Sequence, residues 1–251
     1  MTIERKSPVH FPGRQVRTEN RQNWTVVLEY ESEGAGPWLV DLSHCPKWDI
    51  QDSGIAQLKP FGLIVPDAPG KSSFQNGVLV NRMNRTQVSV WFLHGQPPET
   101  FEGKEYTETT EGQVLLGLLG RDIFPVTEKL TSLYFSEPGK TVPFLLQGPL
   151  SHVPCQIVVL ERDGRDGVLL LACSRGYAHD MVHAILDAGK EYGLQPAGEE
   201  AFERVAKRWM EKETVIRETA PTVAADLSEA AATEPAKPAV VSSRKKPKRK
   251  R

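Results

Sequence analysis

The stretch CQIVVLERDGRDGVLLLAC, residues 155–173, decides the fold. Two runs of Val, Ile and Leu flank the turn DGRDG, and Asp-Gly between such runs is a strong short-range signal for a β-hairpin. A second pair of apolar runs flanks the turn NRMNRTQ in GVLVNRMNRTQVSVWFL, residues 77–93, and predicts another hairpin. The chain is therefore expected to contain antiparallel strand pairs.

Three further apolar runs predict strands. WTVVLEY (24–30) and PWLVD (37–41) are rich in residues that favour strands, the β-branched and aromatic types. EGQVLLGLLG (111–120) is a fully apolar run bounded by glycines, which is typical of a buried strand. The Pro- and Gly-rich passage PFGLIVPDAPGKSSFQNG (60–77) predicts a loop.

Apolar residues at helical spacing predict three helices. Asp122 is expected to cap the first, over IFPVTEKLTSL (123–133). The second covers YAHDMVHAILDAG (177–189), with Gly189 as its C-terminal glycine. The third begins near Gly198, and its apolar stripe consists of Phe202, Val205, Ala206, Trp209 and Met210. The predicted fold class is α+β, with antiparallel hairpins and sheets covered by helices.

Composition divides the 251 residues into three parts. Residues 21–217 are predicted to form a single α+β domain, and residues 1–20 a flexible N-terminal segment. Residues 218–251 begin with a stretch rich in Ala, Pro, Thr and Ser that has no aromatic residue. Such a stretch buries too little apolar surface to offset the entropy cost of ordering it. We therefore expect a disordered Ala/Pro-rich linker that ends in a basic tail.

The net charge of −1 hides an uneven distribution. The tail SRKKPKRKR (243–251) holds seven of the 31 Lys and Arg residues, so residues 1–242 carry 24 bases against 32 acids. An acidic body repels a phosphate backbone, so a nucleic-acid partner is not expected except through the tail. The tail has three interpretations: a solvated segment, a tether to an acidic partner or anionic surface, or a localisation or nucleic-acid signal. Its charged residues are Arg244, Lys245, Lys246, Lys248, Arg249, Lys250 and Arg251.

Cysteine use and hydropathy predict a reducing compartment and no membrane partner. Cys45, Cys155 and Cys173 are an odd number without a C-x-x-C motif, which argues against a disulfide framework. No run of eighteen apolar residues occurs, and the start MTIERKSPVH lacks the apolar stretch of a secretory signal. We expect a cytoplasmic location.

Two similar stretches, LSHCPKW (42–48) and LSHVPCQ (150–156), contain the most reactive-looking residues. The candidate metal ligands are His44, Cys45, His152, Cys155, Cys173, His179 and His183. Structural zinc ligands come in closely spaced pairs, and only His152 and Cys155 approach that spacing, so no metal site is predicted. Neighbouring residues on a strand point to opposite faces, so neither stretch predicts a catalytic dyad. Both are interpreted as the starts of strands.

The remaining patterns also favour structural roles. The chain has neither G-x-G-x-x-G nor G-x-x-x-x-G-K-[ST], the loops that cradle phosphates. Glu199 and Glu200 fit the first turn of a helix, and Asp163 and Asp166 fit a hairpin turn. From the residues themselves, no catalytic residue and no cofactor bound by this chain is predicted.

Several stretches resemble the folate-binding aminomethyltransferase superfamily, which includes the T protein of glycine cleavage. TETTEGQVLLGLLGRDIFPVTEKLTSL (107–133) looks like its strand-glycine-helix unit, and GKEYGLQPAGEEAF (189–202) is similar to its Gly-Leu-x-Pro-x-Gly passage. The order of parts over residues 24–202 resembles more closely the gamma subunit of heterotetrameric sarcosine oxidase. The resemblance implies an aminomethyltransferase-like folate-binding domain arrangement.

The departures from this family bear on chemistry. The T protein carries its folate-directed acid in a Gly-x-x-Asp-Asp segment, where this chain has GVLVNRMN (77–84), with Asn81 and Arg82 and no carboxylate. The family's Arg-x-Gly-Tyr-x-Gly-Glu element is reduced to Arg175, Gly176 and Tyr177. The resemblance therefore leaves Arg175 and Tyr177 as the candidate folate contacts.

Two functions follow as hypotheses. The first is an accessory, non-catalytic gamma-type subunit of a sarcosine oxidase-like complex in folate-linked one-carbon metabolism, docked on larger subunits that bind flavin and folate. The second is a compact aminomethyl or methyl transferase that binds tetrahydrofolate itself. A metal-binding regulator is a third.

Overall fold

The computed structural model describes residues 4–98 and 103–219. The chain divides into two compact units, Met1–Glu213 and Thr214–Arg251. The architecture that follows is that of the first unit. Residues 220–251, with most of the predicted linker and all of the basic tail, lie outside the described residues, so their disorder stays a prediction.

The described residues form mostly sheet, with few helices. The strands are β1 (Gln15–Arg21), β2 (Trp24–Tyr30), β3 (Trp38–Asp41), β4 (Lys47–Gln51), β5 (Ser72–Gln75), β6 (Val78–Arg82), β7 (Gln87–Phe92), β8 (Tyr106–Glu108), β9 (Gln113–Arg121), β10 (Phe144–Leu150), β11 (Val153–Asp163), β12 (Asp166–Ser174) and β13 (Gln195–Ala197). The helices are α1 (Ile123–Glu128), α2 (Ala178–Gly189) and α3 (Glu199–Thr219). This composition agrees with the predicted α+β class.

The strands belong to three sheets. β1 and β2 form an antiparallel hairpin. A six-stranded sheet has the order β10-β11-β12-β9-β3-β13, and a five-stranded sheet has the order β5-β6-β7-β4-β8. The pairs within these two sheets are antiparallel, except that β13 runs parallel to β3.

Both predicted hairpins are confirmed. β11 and β12 pair from Cys155 opposite Cys173 down to Asp163 opposite Asp166, around the turn that contains Gly164. The Gly164 φ angle of 59° lies in the left-handed region, which favours glycine. β6 and β7 form the second hairpin. The predicted loop over residues 60–77 contains one strand that the composition did not predict, β5.

Apolar side chains pack on both faces of the six-stranded sheet. On one face, residues of α1 and α2 such as Phe124, Met181 and Ile185 cover the sheet. On the other face, residues such as Leu115 and Leu170 pack against Trp91 of the five-stranded sheet, and Phe202 of α3 joins them. The apolar stripe of α3 is thus confirmed at Phe202, and Val205, Ala206 and Trp209 pack beside it. The side chain of Met210, the fifth predicted member, lies outside what the structure describes.

The first helix is shorter than predicted, and Asp122 stands at its N-cap position without a capping bond from its side chain. Asp122 has a φ angle of 61° and makes no capping hydrogen bond. Its carboxylate instead pairs with the Arg165 guanidinium, whose Nε lies 2.6 Å from Oδ1. The helix ends at Glu128, and the Leu130 carbonyl accepts a hydrogen bond from the Ser151 amide at 2.8 Å. Leu130 and Leu133 still pack against the core, which explains their helix-like spacing.

Gly189 does not end its helix in the way the sequence suggested. It keeps right-handed helical angles, and a short 3₁₀ turn follows it to Gly193, whose φ angle is 71°. A Cβ atom on Gly189 would lie 2.4 Å from Leu194 Cδ2. Glycine is therefore needed at position 189 for close packing, and the left-handed terminating residue is Gly193.

The predicted boundary at residue 20 falls inside the β1–β2 hairpin. Arg5 also contacts this hairpin, because its guanidinium lies 4.9 Å from the centre of the Trp24 ring. The side chains of β1 are almost all exposed. How mobile residues 1–20 are stays a prediction. Among the helices of the described residues, none has an apolar stretch long enough to cross a membrane.

Candidate functional site

The first Ser-His stretch forms a tight turn between β3 and β4. The Asp41 carboxylate accepts hydrogen bonds from the Ser43 amide at 2.9 Å and from the Ser43 hydroxyl at 2.6 Å. The Cys45 amide donates to the Leu42 carbonyl at 3.0 Å. An Asp side chain that bonds two residues ahead is a common way to hold a turn. The expectation that His44 and Cys45 point to opposite faces was wrong, because it assumed a strand at these positions.

A buried ion cluster joins this turn to α3 and to the β1–β2 hairpin. His44 Nε2 lies 2.9 Å from Glu199 Oε1, and Arg21 Nη1 lies 2.6 Å from Glu199 Oε2. The Glu199 side chain is 6% exposed and the His44 side chain 13%. Three segments far apart in sequence are thus held by one carboxylate.

Burial and pairing shift the pKa values of both partners. Burial alone lowers the pKa of His44, but the Cys45 sulfur and the Glu199 carboxylate outweigh it and raise that pKa to about 10. Burial raises the pKa of Glu199, but His44 and Arg21 outweigh it and hold that pKa below its usual value. Both shifts favour a protonated His44 beside an ionised Glu199.

Lys47 is fully buried at the start of β4. Its Nζ donates hydrogen bonds of 2.8 Å to the carbonyl oxygens of Ser43 and of Cys45. Burial lowers the pKa of Lys47 to about 8. The Lys47 ammonium group therefore stabilises the turn between β3 and β4 from its buried side, because both carbonyl oxygens that it contacts belong to that turn.

The turn does not have the geometry of a Cys-His-Glu triad. In such a triad, one ring nitrogen faces the nucleophile and the other faces the acid. Here His44 Nε2 contacts Glu199 at 2.9 Å, and the same atom is the one near Cys45 Sγ, at 3.8 Å. Cys45 is also buried. We interpret the cluster as structural.

Two cavities adjoin the turn, and His44 lines both. One of about 290 Å³ lies against Trp24, Tyr30 and Asp41. Burial, with help from Asp41, raises the pKa of Tyr30 to about 12. The other cavity, of about 320 Å³, lies against Arg21 and Glu199.

The second Ser-His stretch is a two-residue hairpin turn. Ser151 and His152 have φ angles of 47° and 68°, and Leu150 pairs directly with Val153. Positive φ at both central residues is the signature of a type I′ turn. This stretch therefore connects β10 to β11, and the interpretation of Cys155 as a residue near the start of a strand is confirmed.

The other candidate metal ligands form two pairs, one buried and one exposed. Cys155 and Cys173 sit opposite each other on β11 and β12 and face the core beneath α2. His179 and His183 share an exposed face of α2, with ring centroids 4.4 Å apart. Within residues 4–98 and 103–219, no three His, Cys, Asp or Glu side chains are grouped as they would be to hold a metal ion.

The candidate folate contacts share one 3₁₀ turn before α2. The Arg175 guanidinium donates to the Lys6 carbonyl, and its Nη1 lies 3.6 Å from Glu111. Tyr177 is 48% exposed and points away from the core. Arg175 is therefore already engaged by the N-terminal segment, whereas the Tyr177 ring is open to contact.

Asn81 and Arg82, the residues of the stretch that resembles the T protein's acidic segment, are buried in β6 and bring no carboxylate there. The Asn81 amide oxygen accepts a hydrogen bond of 2.7 Å from the Ser72 hydroxyl. The Arg82 guanidinium donates to the carbonyl oxygens of Asn84 and Arg85 at 2.7 and 2.9 Å. Arg82 thus holds the β6–β7 turn.

A cleft between the two larger sheets was not predicted from the sequence. Its volume is about 570 Å³. Three glutamines line it, Gln113 of β9, Gln147 of β10 and Gln156 of β11. Gln147 Nε2 donates to the Met83 carbonyl at 2.8 Å. The signal was present in the sequence, because Gln147 and Gln156 interrupt otherwise apolar runs.

Comparison with known proteins yields one kind of match. No protein-family model matches the chain, and no curated protein does. Among solved structures, a chain of heterotetrameric sarcosine oxidase from Corynebacterium sp. U-96, in complex with pyrrole 2-carboxylate, matches with a TM-score of 0.50. The identity is 16%, and the match covers 64% of this chain and 88% of that chain. At this identity the likeness is one of fold.

Proposed function

We propose that this chain is an accessory, non-catalytic gamma-type subunit of a multi-subunit sarcosine oxidase-like complex. The observation that carries the proposal is the fold shared with a chain of a heterotetrameric sarcosine oxidase. The match covers 88% of that chain but 64% of this one, so the matched chain is the shorter of the two.

The proposal includes a finer description of the fold and of the surroundings. The body, residues 21–217, would have the aminomethyltransferase-like folate-binding arrangement, and residues 218–251 would form a flexible tether. The larger partner subunits would bind flavin and folate and carry out the chemistry of folate-linked one-carbon metabolism. The complex would be cytoplasmic.

The contacts of the reactive-looking side chains support a non-catalytic role. His44 is paired with Glu199, and Lys47 donates to two carbonyl oxygens of its own turn. Arg82 donates to the carbonyls of the turn that follows it. These groups are held by bonds that stabilise the fold.

Exposed apolar side chains offer a place to dock. The chain between α1 and β10 presents Tyr134, which is 56% exposed, and Val142, which is 40% exposed. Aromatic residues are enriched at protein interfaces, where they supply large buried areas. We propose that this segment, residues 129–143, contacts a partner subunit.

Copurification tests the proposal. A tag on this chain, expressed in the native host, should retain larger subunits and the visible absorbance of bound flavin. The double variant Y134S/V142S should lose most of the retained flavin, whereas I64S, which changes an exposed apolar residue elsewhere, should not. A tagged chain that retains no flavoprotein would contradict the proposal.

The alternative hypothesis, a compact transferase that binds tetrahydrofolate itself, predicts a different result for the purified chain. If it is correct, the purified chain alone should bind tetrahydrofolate and transfer a one-carbon unit. Its binding should weaken in Y177A, because Tyr177 is the exposed candidate contact, and a titration by calorimetry measures this. Tight binding by the lone chain would replace the accessory role with a catalytic one.

A further inference from the structure

The cleft between the two larger sheets has the features of a small-molecule site. Its volume of about 570 Å³ falls within the range of ligand pockets, about 300–1,000 Å³. One wall is the six-stranded sheet, and Met83, Glu108 and Thr109 from the other side complete it.

Strand register shows which side chains face the cleft. Gln156 pairs with Ala172, and Gln113 pairs with Ser174. Ala172 and Ser174 are two residues apart on β12, so all four side chains lie on one face of the sheet. Gln147 joins them because it pairs with Gln156. The small Ala172 leaves space between the longer side chains.

Two hydrogen-bond acceptors at this site have no partner within the part of the chain that the structure describes. Gln113 Oε1 and Gln156 Oε1 are buried, and neither accepts a hydrogen bond from the described residues. A buried acceptor without a partner costs about 1–3 kcal/mol, so such groups are rare unless a ligand or water completes them. Each of these two amide oxygens can therefore accept a hydrogen bond from a ligand.

The charges of the residues around the cleft indicate which kind of ligand would donate these hydrogen bonds. The described residues that line the cleft include one carboxylate, Glu108, and no Lys, Arg or His. The Glu108 Oε1 lies 3.9 Å from the Arg5 guanidinium, which is outside the lining. A carboxylate with amide oxygens favours a cation and disfavours an anion. β12 lies between the strands of Gln113 and Gln156, so the two strands are about 10 Å apart. A ligand that contacts both amides therefore needs N–H groups at both of its ends.

We propose that this cleft binds a small amine cation that carries N–H donors at both ends. The Gln113 and Gln156 oxygens accept from the two ends, and Glu108 balances the charge. Gln147 is held by the Met83 carbonyl and shapes the wall. The site does not depend on the proposed docking of partner subunits.

The test uses two probes of similar length and opposite charge, 1,4-diaminobutane and succinate. Both are titrated into the full chain while the side-chain amide signals of the glutamines are followed by NMR. We expect saturable shifts at Gln113 and Gln156 with the diamine and no saturable shift with succinate. No binding of the diamine, or equal binding of succinate, would overturn the proposal.

Variants sharpen the result. Q113L and Q156L should each weaken diamine binding at least tenfold, and E108Q should weaken it a few-fold. Q57L, at an exposed glutamine outside the cleft, is the matched control and should bind like the wild type. If a buried variant does not fold, S174L serves instead, because Ser174 is exposed at the cleft and a larger side chain should block it. Unchanged binding in a folded S174L would count against the site.

Discussion

The turn between β3 and β4 and the cleft lined by three glutamines both bury polar groups, but they do so differently. In the turn, Glu199 is shared by His44 and Arg21, and Lys47 donates to two carbonyls. In the cleft, two amide oxygens have no partner among the described residues. Paired groups stabilise a fold, whereas unpaired ones cost stability and are retained where something else binds.

The largest expected effect comes from breaking the ion cluster. E199A leaves a protonated His44 and Arg21 without their shared carboxylate, and we expect a loss of about 3 kcal/mol in the free energy of unfolding. Urea denaturation measures it. The neighbouring E200A is the matched control, since Glu200 is partly exposed and pairs with Arg17 at the surface. It should cost less than about 1 kcal/mol. Equal losses would mean that the cluster is not structural.

The second-largest expected effect is a pH dependence of the free energy of unfolding. The pKa of His44 is raised from 6.5 to about 10, so its contribution is complete below pH 6.5 and is lost as pH rises toward 10. The pKa of Lys47 is lowered from 10.5 to about 8, so the unfolded chain binds the extra proton and stability recovers between about pH 8 and 10.5. Of these two groups, only His44 changes the free energy of unfolding between pH 6.5 and 8.

Stability should therefore fall over that window by up to about 1.4 kcal/mol per pH unit, the most that one proton can contribute. Denaturation midpoints measured at half-unit intervals give the slope. H44Q should remove most of it. A flat profile between pH 6.5 and 8 in the wild type would show that Cys45 and Glu199 do not hold His44 protonated in the folded chain.

The smallest effect belongs to the cleft. Q156L replaces an amide whose buried oxygen lacks a partner among the described residues by an apolar side chain of similar size. We expect its free energy of unfolding to stay within about 1 kcal/mol of the wild type, or to rise. Urea denaturation without added amine measures it. A loss as large as that of E199A would mean that the Gln156 amide stabilises the fold, and the contrast between the two regions would fail.

Sequence patterns predicted the strands and hairpins better than their ends. Apolar runs and Asp-Gly located β11 and β12 because these signals act over a few residues. Asp122 and Gly189 stand at helix ends as predicted, but what each residue does there is decided by a contact outside its helix. Arg165 takes the Asp122 carboxylate, and Leu194 fills the space that a side chain at 189 would need.

The polar regions were harder to predict for the same reason. His44 and Glu199 are 155 positions apart, so no local pattern shows that they pair. The register of three strands, β9, β12 and β11, is needed before Gln113 and Gln156 can be placed on one face. The sequence marks both glutamines only as polar residues within apolar strands.

We proposed that this chain docks on larger flavin-carrying subunits, and the mass of the assembly that it forms tests this most directly. Native mass spectrometry of the tagged chain, isolated from its host at low ionic strength, gives that mass and the identity of what dissociates from it. We predict an assembly heavier than the single chain, which releases larger flavin-carrying subunits. A species with the mass of the chain alone, at a concentration where flavoprotein subunits are present in the same extract, would contradict the account.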